Sequence, residues 1–245
     1  MKKDCSLNRF QIFSGSMLKL IALLAMIIDH AAYTFQPQFP ILSETMFNLG
    51  SVAVTPYFIM RRIGRLAFPI FCFLIAEGIA HTKDIRKYGT RLLVFALLSE
   101  LPYNLLMTHN WLYVYKQNVF FTLFLGVLMV YIYENVSTQW KKWLCMVLVT
   151  VVAVLLRADY GAAGVALILV MYLFRDRAGV KMVLAYPLLG RITAMVAFVP
   201  ILMYNGKRGF VKSGVMKYAF YLLYPLHILA LVGISYLLYK QGIWG

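Results

Sequence analysis

Residues 19–33 read KLIALLAMIIDHAAY. An uncharged apolar run, Leu20–Ile28, follows Lys19, and the candidate span extends from about 16 to 35. That is close to the roughly 20 residues a helix needs to cross a bilayer. Asp29 and His30 then stand side by side inside it. An ionisable group in mid-membrane costs about 2.5–3.5 kcal/mol on insertion scales, so such a pair faces a partner or a wet cavity.

Working outward, the whole chain has the same character. It has 245 residues, of which 62% are hydrophobic and 13% charged, against about 25% charged in soluble domains. The expected fold is all-α: one polytopic membrane bundle over residues 1–245. Continuous rather than alternating apolar runs exclude a β-barrel. The first run ends in Asp-His without a small-residue cleavage site, so it reads as a retained span rather than a signal peptide. The net charge of +15 sits on Lys and Arg between apolar runs, which makes the lipid bilayer, not nucleic acid, the partner. Cys5, Cys72 and Cys145 have neither metal-site nor disulfide spacing, and no metal is expected.

Candidate spans cover 16–35, 63–80, 92–108, 118–136, 143–157, 160–174 and 218–239. Residues 1–15 read as an amphipathic interfacial segment. Residues 36–60 have no assignable fold. Residues 182–204 carry Pro187, Gly190 and Arg191 at their centre. If they crossed once, Lys207, Arg208, Lys212 and Lys217 would fall outside. Two short, broken helices that go out and return keep them inside, with Lys83, Arg86, Lys141, Lys142 and Arg175. About nine membrane segments follow, with the N-terminus in the cytoplasm and the C-terminus outside. Broken segments of this kind survive where they are buried in protein or line a cavity.

Three polar constellations stand out. Lys19 and His30 are eleven residues apart, about three helical turns, so they share one stripe roughly 16 Å long. Their bland readings are a snorkelling anchor and a histidine bonded to a backbone carbonyl. In RRIGRLAFPIFCFLIAEGIAHT (61–82), Arg61 and Arg65 share a face, and Pro69 frees the Arg65 carbonyl. The guanidinium suits phosphate or carboxylate; the alternative is pairing of Arg65 with Glu77 or Glu100. In KYAFYLLYPLHILAL (217–231), Tyr218, Tyr221, Tyr224 and His227 form an i, i+3 stripe. Asn118, Asp159 and Tyr160 sit at span ends, where packing and capping explain them as well as chemistry does.

Taken together, LKLIALLAMIIDH, GRLAFPIFCFLIAEGIAHT, NVFFTLFLG, ADYGAAG, YNGKRG and KYAFYLLYPLHIL, in that order, resemble the TraX family. These are membrane proteins linked to N-terminal acetylation of conjugative pilin. The family is similar to the wider acyltransferase-3 and transmembrane acyltransferase superfamily, whose first span often carries a basic residue, ten residues, then His. Lys19 and His30 match that pattern, with Lys in place of the usual Arg. The resemblance implies a bacterial inner-membrane acetyltransferase that uses acetyl-CoA. The acceptor, a protein N-terminus, a glycan or a small molecule, is not specified.

On that reading Lys19, Arg65, Asn205, Lys207 and Arg208 hold the anionic donor. His30 is the general base or forms an acetyl-imidazole. Arg65 or Tyr224 stabilises the oxyanion, Asp29 bonds its helix end or orients a neighbour, and His227 is the second deep histidine. Two other classes compete: a proton-coupled transporter or channel relaying through His30, Glu77, Glu100 and His227, and a non-catalytic envelope scaffold. The Lys19–His30 stripe and the lack of an internal repeat favour the enzyme.

Overall fold

The computed structural model describes residues 11–211 and 213–241. Cys5, the segment up to residue 10, Lys212 and the extreme C-terminus lie outside the described residues. The chain is mostly helical. Among the described residues, three stretches are long and apolar enough to cross a bilayer. They are α1 (Gly15–Phe35), the consecutive α2 (Pro56–Gly64) and α3 (Ala67–His81), and α11 (Gly214–Lys240). Between them lie α4 (Ile85–Thr108), α5 (Val119–Asn135), α6 (Gln139–Leu155), α7 (Gly161–Leu173), α8 (Ala178–Leu189), α9 (Ile192–Met195) and α10 (Phe198–Leu202). Helix length and composition thus account for three crossings of the nine segments expected.

Two stretches outside the candidate spans take on structure for local reasons. The stretch between the candidate spans 63–80 and 92–108 is not all loop. Asp84 caps α4 by accepting the Lys87 amide at 3.0 Å, so Arg86, Lys87 and Arg91 decorate its first turns. Residues 36–60, unassigned above, contain a 3-10 turn (Pro40–Ser43) and a hairpin, the only sheet among the described residues. In the hairpin, β1 (Phe47–Leu49) pairs antiparallel with β2 (Val52–Val54) around Gly50–Ser51. Gly50 has φ +62°, which a tight two-residue turn requires and glycine adopts without a Cβ clash.

The chain forms two compact units, each discontinuous in sequence: Met1–Leu74 with Arg191–Phe220, and Ile75–Gly190 with Tyr221–Gly245. The expected break within 182–204 falls where the chain leaves one unit for the other. α8 ends at Gly190, which is left-handed at φ 62° with its amide on the Tyr186 carbonyl. Beyond it the helix resumes only as the short α9 and α10.

In the first unit α1 packs on α2, and Gly64 sets the approach. A Cβ built there would overlap the Asp29 side chain. Gly64→Ala is therefore expected to destabilise the protein by about 1–3 kcal/mol, the usual range for overpacking. Thermal unfolding in detergent checks this. Gly179→Ala, where a Cβ meets open space, serves as the control and should unfold at or above the wild-type temperature.

The second unit is a bundle centred on α5, which packs against α4, α6 and α7. Its core includes Leu125, Met129, Met146, Val149, Ala153 and Val165. Gly126 on α5 sets the close approach of α5 and α7. Gly161 has open space at its Cβ position, whereas a Cβ on Gly126 would strike Ile168.

Candidate functional site

The foot of α1 is built by its own cap and by a distant loop. Ser14 is the N-cap and accepts the Met17 amide. The Gly15 amide donates to the Lys207 carbonyl at 2.8 Å, and the Ser16 amide to the Arg208 carbonyl at 3.0 Å. The Ser16 hydroxyl also donates to the Arg208 carbonyl at 2.8 Å and accepts the Val211 amide at 2.9 Å. The first free amides of the helix, a common anion site, are thus already occupied. Holding an anion here falls to side chains.

Those side chains are cations. Lys19 is half-buried, with its Nζ 5.9 Å from the centre of the Phe220 ring. Arg208 and Lys217 are its charged neighbours, and Lys207 and Arg208 are exposed. Among the described residues, none of these four forms an ion pair with a carboxylate. A shallow, open depression lies against Lys207, Arg208, Gly209 and Phe210. Asn205, expected to touch the donor, shapes the loop: its Oδ1 accepts the Lys207 amide at 2.9 Å, and its Nδ2 reaches the Ile12 carbonyl at 3.5 Å.

Further along α1, Asp29 is held by Arg61 of α2, Nη1 to Oδ2 at 2.5 Å. The Arg61 guanidinium also lies 5.8 Å from the centre of the Tyr33 ring. The acid inside the span thus has an interhelical partner, and that partner is Arg61, not Arg65. Arg65 is half-buried at the C-terminal cap of α2, where the chain turns into α3. His30 is half-buried, and its backbone carbonyl accepts the Thr34 hydroxyl at 2.8 Å. Lys19, Asp29, His30, Arg65, Asn205, Lys207 and Arg208 all belong to the first unit.

Tyr224 and His227 belong to the second unit. Tyr224 is buried and stands edge-on to Phe120 at 5.0 Å and to His227 at 5.7 Å. His227 Nδ1 lies 2.7 Å from the Leu223 carbonyl. A carbonyl only accepts, so Nδ1 carries the hydrogen, and Nε2 has the lone pair of the neutral ring. Tyr221 stacks on Phe95 at 4.9 Å, so this stripe is packed against aromatic rings.

Sequence reasoning gave little weight to a second polar group in this unit. Asn118 caps α5 by accepting the Phe120 amide, and its Nδ2 donates to Glu100 Oε2 at 2.6 Å and to the Ala96 carbonyl at 2.8 Å. Lys116 pairs with Asp159 at 3.1 Å. The Gln117 amide donates to the Arg157 carbonyl, and the Asp159 amide to the Gln117 carbonyl, so the two span ends are tied together. Ser99, Glu100 and Asn104 on the last turns of α4 were the available signal.

The TraX protein family matches residues 14–235, which takes in both units and every candidate residue above. The chain belongs to the TraX family. This TraX-family chain is also 30% identical over 244 residues to the "Probable fimbrial assembly protein FimC, serogroup H1" of Dichelobacter nodosus. The match covers 88% of this chain and 93% of that protein. No solved structure matches it.

Proposed function

We propose that the protein is an acetyltransferase of the bacterial inner membrane that takes acetyl from cytoplasmic acetyl-CoA and passes it to an amine or hydroxyl. The observation that carries this reading is the cation cluster at the foot of α1. Lys19, Lys207, Arg208 and Lys217 gather there without a carboxylate among the described residues. Gathered like charges repel and favour an anion between them. The nucleotide and phosphates of CoA supply such a charge, and the pantetheine arm is long enough for the roughly 16 Å from Lys19 to His30.

His30 acts as general base, or carries the acetyl group as an acetyl-imidazole. As base, its neutral ring takes the proton of the attacking amine or hydroxyl. The new bond to the acetyl carbon forms as the C–S bond breaks, and the CoA thiolate leaves and is protonated. Asp29, locked by Arg61, fixes the α1–α2 pair around it. The Lys19–His30 pattern supports a place beside the acyltransferase-3 superfamily. The D. nodosus relative, a probable fimbrial assembly protein by name, supports a fimbrial component as the acceptor.

The direct test is transfer by purified protein in nanodiscs: labelled acetyl-CoA should yield free CoA and a labelled acceptor. No turnover beyond a buffer control, with any amine or hydroxyl acceptor tried, would favour the transporter reading instead. Nine membrane segments place Asn205 in the cytoplasm and Gly245 outside. Reporter fusions after each should report opposite sides; the same side for both would overturn that topology without touching the chemistry.

A further inference from the structure

The stretch between α1 and α2 carries a surface that the proposed acetyl transfer does not use. In the hairpin, the opposed pairs Phe47–Val54 and Leu49–Val52 alternate with Asn48–Ala53. Opposed residues project to one side of a sheet, and successive pairs to opposite sides. One face is therefore Phe47, Leu49, Val52 and Val54, all apolar, and the other is Asn48 and Ala53. The base of the apolar face is covered and its tip is not. Val54 is buried, whereas Val52 is 44% exposed, Phe47 54% and Leu49, at the turn, 71%. The base is also fixed in place. The Met46 amide continues the ladder to the Val54 carbonyl at 2.9 Å. The next residue, Thr55, caps α2 by accepting the Phe58 amide at 3.0 Å.

Place, reach and charge together name what covers the tip. The 21 residues of α1 make about 30 Å of helix, the thickness of a hydrocarbon core. Both α1 and α2–α3 are long and apolar enough to cross the bilayer. The chain from 36 to 55 joins these consecutive spans, so it is pinned at one membrane surface at both ends. A three-residue strand reaches about 10 Å, further than the roughly 5–7 Å of headgroups on each side. Upright, the hairpin would carry Leu49 and Val52 through the headgroups into water. Laid flat, it sets them against acyl chains, which the hydrophobic effect favours. The open strand edges limit the depth, because their amides and carbonyls need water or headgroup partners. Residues 36–55 hold Glu44 and no Lys or Arg, so attraction to anionic headgroups plays no part.

We propose that the apolar face of the hairpin lies on the membrane, with Phe47, Leu49 and Val52 at the boundary between headgroups and acyl chains. The inference rests on the membrane spans alone and is independent of acetyl transfer.

The test places a nitrobenzoxadiazole label at Leu49→Cys or at Asn48→Cys, each in the full-length protein with Cys5→Ala and Cys145→Ala. Cys72 is buried and stays unlabelled. Leu49 and Asn48 are both exposed, so neither label disturbs a packed contact. In phosphatidylcholine nanodiscs the Leu49 label should emit further to the blue. It should lose most of its fluorescence to lipid with a nitroxide near the top of the acyl chain, and little to aqueous iodide. The Asn48 label should show the reverse. Adding phosphatidylglycerol should change neither result.

Strong iodide quenching at Leu49 would leave the face in water, and protection from both quenchers would mean that protein covers it. Either result would overturn the proposal. So would equal lipid quenching at the two positions, stronger quenching by a nitroxide deep in the acyl chain, or a blue shift that requires phosphatidylglycerol.

Discussion

His30→Gln is expected to lower acetyl transfer by about 10²–10⁴-fold, the usual loss when a positioned base is removed. Insertion and donor affinity should be retained. The substitution keeps hydrogen-bonding capacity, and the donor-holding cations lie three turns away at the foot of α1. His30→Ala should behave similarly, and the pair separates base chemistry from bonding: a structural histidine is rescued by Gln but not by Ala. The measurement is single-turnover acetyl release, with donor affinity read separately by equilibrium binding. Near wild-type transfer by His30→Gln would make His30 structural and pass the assignment to His227. The histidine in the second unit already has the right tautomer for a base, with Nδ1 on the Leu223 carbonyl and the Nε2 lone pair remaining in the neutral ring.

What the sequence made legible was local. The apolar run of α1 and the break at Gly190 follow from composition and from the Pro187–Gly190–Arg191 cluster, readable within a few residues, whereas the candidate span 63–80 runs across the stop between α2 and α3 at Arg65–Leu66. What it hid was pairing at a distance. Arg61 was read against Arg65, its neighbour on the same helix, but its partner Asp29 lies 32 residues back on α1. Glu100 and Asn118 are 18 residues apart, and the loop at 207–208 meets the start of α1 across about 190 residues. No spacing rule reaches so far in a single sequence. The hairpin at 47–54 escaped for another reason. Its exposed Phe47, Leu49 and Val52 blur the alternation between apolar and polar faces that marks a strand. The start of α4 was hidden because exposed charges on a helix look like a loop when judged by hydropathy alone.

Charge removal at the loop, Lys207→Gln with Arg208→Gln, is expected to raise the KM for acetyl-CoA about 10–100-fold with little change in kcat. These side chains hold the donor's remote phosphates, and such contacts are equally strong in the ground and transition states, so they appear in KM alone. The loop should survive the change. Its bonds to α1 run through the Lys207 and Arg208 backbone carbonyls and the Ser16 hydroxyl, none of which the substitutions alter. Both side chains are exposed, so no buried partner is left unpaired. The same cations predict that donor binding weakens as salt rises, because exposed charges are screened over about 8–10 Å at 0.1–0.15 M ionic strength. The double variant should show a shallower salt dependence than wild type. Lys19→Gln should act in the same direction, and because Lys19 is half-buried beside Phe220 its residual effect should persist at high salt. Steady-state kinetics across a salt series separates the outcomes. Unchanged KM in the double variant, with the wild-type salt slope, would remove the foot of α1 from the donor site and leave His30 without a route for its thioester.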